Sequence, residues 1–212
     1  MNGPNFSSKL CVLFLTALFC LSAFAVFDNS RTNGGAILSS RGFFGETEKP
    51  LDMLVNGTGS AVNDFFGFGV SSAGDINGDG CDDLIVGDLG YDYGAMTNPG
   101  AACIFFGKAD WSGKNLNASN ADVIIQGAAA GDEFGYTVAC AGDINGDGFS
   151  DVIIGAPGYD NGGNANAGRA YIFYGYKSFG SVSIRSAATA NETITGLLAG
   201  DLLGTSVNGG GT

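Results

Sequence analysis

The sequence predicts an all-β chain in which small four-stranded antiparallel sheets repeat in tandem as the blades of a β-propeller. Three observations carry that expectation. A unit of 68 residues recurs along the chain, and the apolar stretches within each unit are short and bounded by Gly, Asn or Asp. In addition, 37 of the 212 residues are glycine, more than twice the ordinary usage of roughly 7%. An interior Gly costs a helix roughly 0.5–1 kcal/mol relative to Ala, so a long helical bundle or coiled coil is excluded. In stacked sheets the same residue serves tight turns and close backbone approach.

The first segment, residues 1–25, reads as a signal peptide. Lys9 precedes an apolar run over residues 10–21, and Ser22-Ala-Phe-Ala25 places small residues where a signal peptidase cuts. Cleavage is expected after Ala25. The run is too short for the ~20 apolar residues that span a bilayer, so the expected product is secreted or faces the cell exterior. Cys11 and Cys20 leave with this segment, and Cys81, Cys103 and Cys140 remain. An odd number cannot form a complete disulfide framework and the spacing fits no zinc pattern, so these read as free thiols with at most one bridge. Export also gives meaning to three glycosylation sequons, at Asn56, Asn117 and Asn191.

Residues 26–49 show no clean copy of the repeat. Ala36-Ile-Leu38 there is expected to form a lone strand that closes or caps the array. Repeat 1 covers residues 50–126, repeat 2 covers 127–195, and 196–212 begin a third. Phe66-Gly67 recurs as Phe134-Gly135, Ala73 to Gly80 as Ala141 to Gly148, and Ile104-Phe-Phe-Gly107 as Ile172-Phe-Tyr-Gly175. Leu203-Gly204 stands for the Phe-Gly pair in the third copy. Within a copy the expected strands are residues 134–139, 152–154, 170–174 and 122–125. Two copies and the start of a third fall short of the 4–8 blades that close a propeller, so an incomplete propeller is expected.

Each full copy carries a loop with oxygen-bearing side chains at positions 1, 3, 5 and 9. These are Asp75, Asn77, Asp79 and Asp83 in the first, and Asp143, Asn145, Asp147 and Asp151 in the second. Gly80 and Gly148 stand at position 6, where a chain wrapping an ion must turn sharply. Three carboxylates within nine residues repel one another unless a hard cation lies between them. Ca2+ is the expected occupant of both loops, with the backbone carbonyls of Cys81 and Phe149 at position 7 completing the shell. Val86 and Ile154 replace the bidentate Glu of an EF-hand, and strands rather than helices flank the loops.

Composition narrows the function. No histidine is present, which removes Ser-His-Asp and Cys-His catalysis and His-ligated zinc from this chain. Nine basic against 21 acidic residues, a net charge of -12, remove the footprint of a nucleic-acid binder.

The order Phe-Gly, Gly-Asp-Ile-Asn-Gly-Asp-Gly-x-x-Asp, Gly-Ala-Pro resembles the FG-GAP repeat of the integrin α-chain propeller, which other secreted calcium-dependent proteins share. Repeat 2 holds the full set, ending in Gly155-Ala-Pro157, whereas repeat 1 has Gly87-Asp-Leu89 there. The resemblance covers about residues 50 to 212. It implies that calcium clamps the hairpin between the first two strands of a blade. It also implies that protein ligands or a partner subunit meet the opposite face, at residues 89–100, 157–168 and 127–133. Tyr91, Tyr93, Tyr159 and Trp111 are candidate contact aromatics, read first as core or turn-packing residues. The expected function is an extracellular calcium-binding adhesion or interaction module without enzymatic activity. The alternatives are the propeller portion of a phospholipase-type secreted hydrolase and a structural repeat array of a surface protein.

Overall fold

The computed structural model describes residues 65–108, 115–181 and 183–209, together with the backbone of three strands nearer the N-terminus. Those three are β1 (Ala23–Asp28), β2 (Gly35–Ser40) and β3 (Met53–Asn56), paired antiparallel in that order. The strand at Ala36-Ile-Leu38 therefore exists but is not alone, since β1 and β3 flank it. Residues 1–22 of the expected signal peptide lie outside the described residues, and β1 crosses the expected cleavage point at Ala25.

Repeat 1 forms the meander β4 (Phe66–Gly74), β5 (Asp83–Asp88), β6 (Ala101–Phe105) and β8 (Val123–Gln126). Repeat 2 forms β9 (Thr137–Gly142), β10 (Asp151–Ala156), β11 (Arg169–Phe173) and β13 (Glu192–Thr195), again antiparallel throughout. The fold is all-β and built of propeller blades.

Two short strands were not legible as strands. β7 (Asn115–Leu116) runs parallel to β3, and β12 (Ile184–Ser186) runs parallel to β8. Each lies just before the fourth strand of its own blade and reaches back to the preceding sheet, β7 to β3 and β12 to β8, the fourth strand of blade 1. Each is followed by one 3-10 turn, Ala118–Asn120 or Ala187–Thr189.

The core follows from period-two alternation. Ile85, Ala102, Ile104, Val123 and Ile125 leave one face of blade 1 and meet Phe134, Val152, Ile154, Tyr171 and Phe173 of blade 2. Val86, Cys103 and Phe105 leave the other face and form a second cluster with Phe66, Leu116 and Ala118.

The first strand of blade 2 starts three residues later than the expected 134–139. Glu133 and Gly135 have φ of 55° and 92°, and the Tyr136 N–H bonds the Glu133 carbonyl at 3.1 Å. That turn takes Phe134 out of the ladder. Its ring is fully buried between the blades, 5.2 Å from the Tyr171 ring, and its backbone bridges in parallel to Gly100. Leu203 makes the same bridge to Gly168, so the start of the third copy sits on blade 2 as Phe134 sits on blade 1.

Candidate metal centres

The aspartate loops join the first and second strands of each blade, and their internal bonding is nearly identical. Asp75 accepts from the N–H groups of Gly78, Asp79 and Gly80 at 2.7, 3.0 and 2.9 Å. Asp143 accepts from Gly146, Asp147 and Gly148 at 2.8, 3.0 and 2.8 Å. Asn77 donates to Asp79 and Asn145 to Asp147, while Asp79 and Asp147 accept from the N–H groups of Cys81 and Phe149. Glycine is needed at position 6, where φ is 87° in Gly80 and 90° in Gly148.

Position 9 differs from the rest because it is buried. Asp83 begins β5 and Asp151 begins β10, with 3% and 0% exposure. Asp83 takes the N–H groups of Ile76 at 3.0 Å and Gly107 at 2.7 Å. Asp151 takes those of Ile144 at 2.8 Å and Gly175 at 2.9 Å. Each carboxylate thus ties its loop to the end of the third strand. Burial pushes the Asp83 carboxyl up to about 6, opposed by the Gly107 and Ile76 N–H groups and reinforced by the negative charges of Asp79 and Asp75. Burial likewise raises Asp151, against the Gly175 and Ile144 N–H groups and with repulsion from Asp147.

Among the described residues no three His, Cys, Asp or Glu side chains form a metal-holding cluster. Asp75 and Asp143 turn onto backbone N–H groups, and Asp83 and Asp151 onto the ends of the third strands. The set that could hold a metal is therefore mixed: three carboxylates, one amide oxygen and the position-7 carbonyl of each loop. Its chemistry is all oxygen, as a hard cation requires. Among the described residues the ion pair is Lys108 with Asp122, so no Lys or Arg neutralises either loop.

The two loops touch. The Ser150 N–H bonds the Asp75 carbonyl at 3.1 Å, and the Tyr176 N–H bonds the Ile76 carbonyl at 3.0 Å. A Cβ on Gly78 would fall 2.4 Å from the Phe149 ring. Ser150 and the Phe149 side chain were not singled out as site residues, because each acts on a neighbour 68 or more residues away in sequence.

The opposite end of the blades carries the loops between strands two and three. Asp92 takes the Asn98 N–H at 2.6 Å, and Asp160 takes the Asn166 N–H at 2.7 Å. The residue 127–133 loop packs beside them, with the Gly158 N–H on the Asp132 carbonyl at 3.2 Å. Tyr91 packs on the second core cluster, and Arg169 lies 3.7 Å over the Tyr159 ring, so both serve packing. Tyr93 is half-buried, and Trp111 lies outside the described residues. Leu197 and Leu198, 75% and 68% exposed, project from this end. They occupy the places of Ala128 and Ala129 in the preceding copy, a difference readable by aligning the copies. Of the three cysteines, Cys103 is buried, whereas Cys81 and Cys140 are half-buried.

Residues 134–173 match the FG-GAP repeat family. Integrin alpha-5 of Xenopus laevis is 35% identical over 130 residues, 59% of this chain and 11% of the relative. Integrin alpha-PS2 of Drosophila melanogaster is 31% identical over 126 residues, 58% of this chain and 8% of the relative. A phosphatidylinositol-glycan-specific phospholipase D of Dictyostelium discoideum is 30% identical over 160 residues, 69% of this chain and 16% of the relative. The chain thus spans a small part of the curated relatives it matches. Residues 134–173 thus carry an FG-GAP repeat, and the chain is similar over its two blades to part of the integrin α chains.

Proposed function

We propose that this chain is an extracellular calcium-binding propeller module for cell adhesion or protein–protein interaction. The observation that carries the reading is the loop pair: the same four side-chain ligands at the same spacing, with the same internal hydrogen bonds, in two blades. Calcium is structural in this reading. It neutralises three carboxylates per loop and holds the first hairpin of each blade, with Asp75, Asn77, Asp79, Asp83 and the Cys81 carbonyl as one ligand set. Asp143, Asn145, Asp147, Asp151 and the Phe149 carbonyl form the other. The integrin relatives support a cell-surface setting and a protein partner, with the loops at residues 89–100, 127–133 and 157–168 as the contact face. No helix among the described residues is long and apolar enough to cross a membrane.

The phospholipase D relative supports a second reading, the propeller portion of a secreted hydrolase. The 212 residues contain no histidine, so any histidine-dependent chemistry in such a protein belongs to residues outside this chain.

Thermal unfolding tests the calcium reading. A ligand that binds only the native state stabilises by about 2.7 kcal/mol per site at 100 times Kd. Melting should rise when calcium replaces EDTA, and Asp147→Ala should remove one site's share. A transition indifferent to calcium overturns the assignment.

A further inference from the structure

We propose that Asn191 is an N-glycosylation site, and that the fold selects it over the Asn117 sequon. The proposal rests on the export reading above. Asn191 is exposed and stands immediately before β13, the outer strand of blade 2, and Thr193 two residues on is exposed as well. Its carboxamide is oriented by a single bond, in which Oδ1 accepts the Tyr174 N–H at 2.9 Å.

The preceding copy shows what that bond does. Asp122 occupies the equivalent place, and its Oδ2 accepts the Phe106 N–H at 2.8 Å. One oxygen is therefore the structural requirement at this corner, and a carboxylate or a carboxamide meets it. Asn191 spends Oδ1 on the corner and leaves Nδ2 without an acceptor among the described residues. Asp122 is 31% exposed even with blade 2 packed beside it, so a further blade on blade 2 would leave this corner open to solvent.

Asn117 is built differently. It is half-buried between Leu116 and Ala118, each 5% exposed, and it precedes the 3-10 turn Ala118–Asn120. Its Oδ1 accepts the Ser119 hydroxyl at 2.5 Å, and its own N–H donates to Asn120 Oδ1 at 3.0 Å. Both asparagines spend Oδ1 within the fold, and exposure separates them: Asn117 is half-buried in the chain between two buried residues, whereas Asn191 is exposed. Asn56 ends β3, and its side chain is outside the described residues.

The co-reactant is a lipid-linked oligosaccharide diphosphate. Asn191 Nδ2 forms a bond to the anomeric carbon, the bond from that carbon to the diphosphate oxygen breaks, and the lipid diphosphate departs. The amide proton passes to a base of the transferase, and no oxidation state changes.

The test is translation of the full chain in the presence of microsomes, with protease protection scoring translocation and glycopeptide mapping scoring occupancy. The expected result is a protected chain carrying an amidase-removable glycan at Asn191, lost in both Asn191→Asp and Thr193→Ala. Asn191→Asp reproduces the Asp122 corner and keeps the acceptor for Tyr174, so loss of the glycan there is not loss of the fold. A protected chain with Asn191 bare, whether or not another sequon is occupied, overturns the site. A chain that is not protected overturns the export on which it depends, and the proposal with it.

Discussion

Asp147 and Asp151 share a loop but do different work, and substitution separates them. Asp147 is exposed and bonds only within its loop. Its loss in EDTA should cost less than about 0.5 kcal/mol, as for an ordinary surface change. Asp151 is buried, and Asp151→Ala strands the buried Gly175 N–H, at about 1–3 kcal/mol for the group left unsatisfied, while the exposed Ile144 N–H is met by water. Urea unfolding in EDTA checks this; equal costs for the two variants would remove the distinction between ligand and latch. The hydrogen-bonded turn of each aspartate loop was legible because its side chains lie within nine consecutive residues. The latch was not, because Gly175 stands 24 residues from Asp151.

A second residue-scale prediction concerns Asp132, which is 4% exposed at the junction of the two blades. Burial pushes its carboxyl up to about 6, against the Ala129 N–H and the Arg169 charge and helped by the negative charge of Asp160. The unfolded value is about 3.9, so the folded state holds this proton more tightly. Its contribution to stability is therefore present below pH ~4 and is lost as pH rises through about 6. Asp83 has the same sign in calcium-free solution. Under the proposed calcium reading the sign reverses for the loop carboxylates, because a bound cation requires their charged form. In EDTA, Asp132→Asn should flatten the fall in stability between pH 4 and 6 without changing the calcium response at pH 7. An unchanged slope in urea titrations would show that Asp132 does not carry it.

At the scale of elements, the spacing between blades depends on glycine in the second strand. A Cβ on Gly87 of β5 would lie 1.9 Å from the Gly135 carbonyl oxygen, and one on Gly155 of β10 would lie 2.0 Å from that of Gly204. The repeat of this contact explains why the glycine of the Phe-Gly pair and the glycine of the second strand recur together. Gly87→Ala forces the blades apart, and overpacking of this kind costs roughly 1–3 kcal/mol or more. A lowered denaturation midpoint in EDTA is expected, and a cost below half a kcal/mol would mean that the blades slide freely there. The main strands of a blade were legible as short apolar stretches bounded by Gly, Asn or Asp. β7 and β12 were not, since two or three residues hold no period and their partners belong to the preceding sheet. The start of β9 was misplaced because apolar Phe134 looks like a strand residue and is held in a turn.

At the scale of the molecule, blade 1 and blade 2 have the same inner architecture and different neighbours. Ile85, Ile104 and Ile125 of blade 1 are fully buried against blade 2. Their counterparts one repeat later are Ile153, Ile172 and Ile194, of which the first two are half-buried and Ile194 is 52% exposed. Identical residues at identical repeat positions thus differ only in what covers them, which makes a matched experiment possible. Ile125→Thr puts a hydroxyl into a packed interface and removes buried methyl surface, for an expected loss of about 2 kcal/mol or more. Ile194→Thr removes apolar surface already in contact with water, with an expected change within about 0.5 kcal/mol. The same variant should weaken binding of an apolar dye, because Ile194 belongs to the face that continues the blade-to-blade stack. Equal destabilisation by the two substitutions would show that the second face is already covered, and that the two blades are not successive members of an open stack.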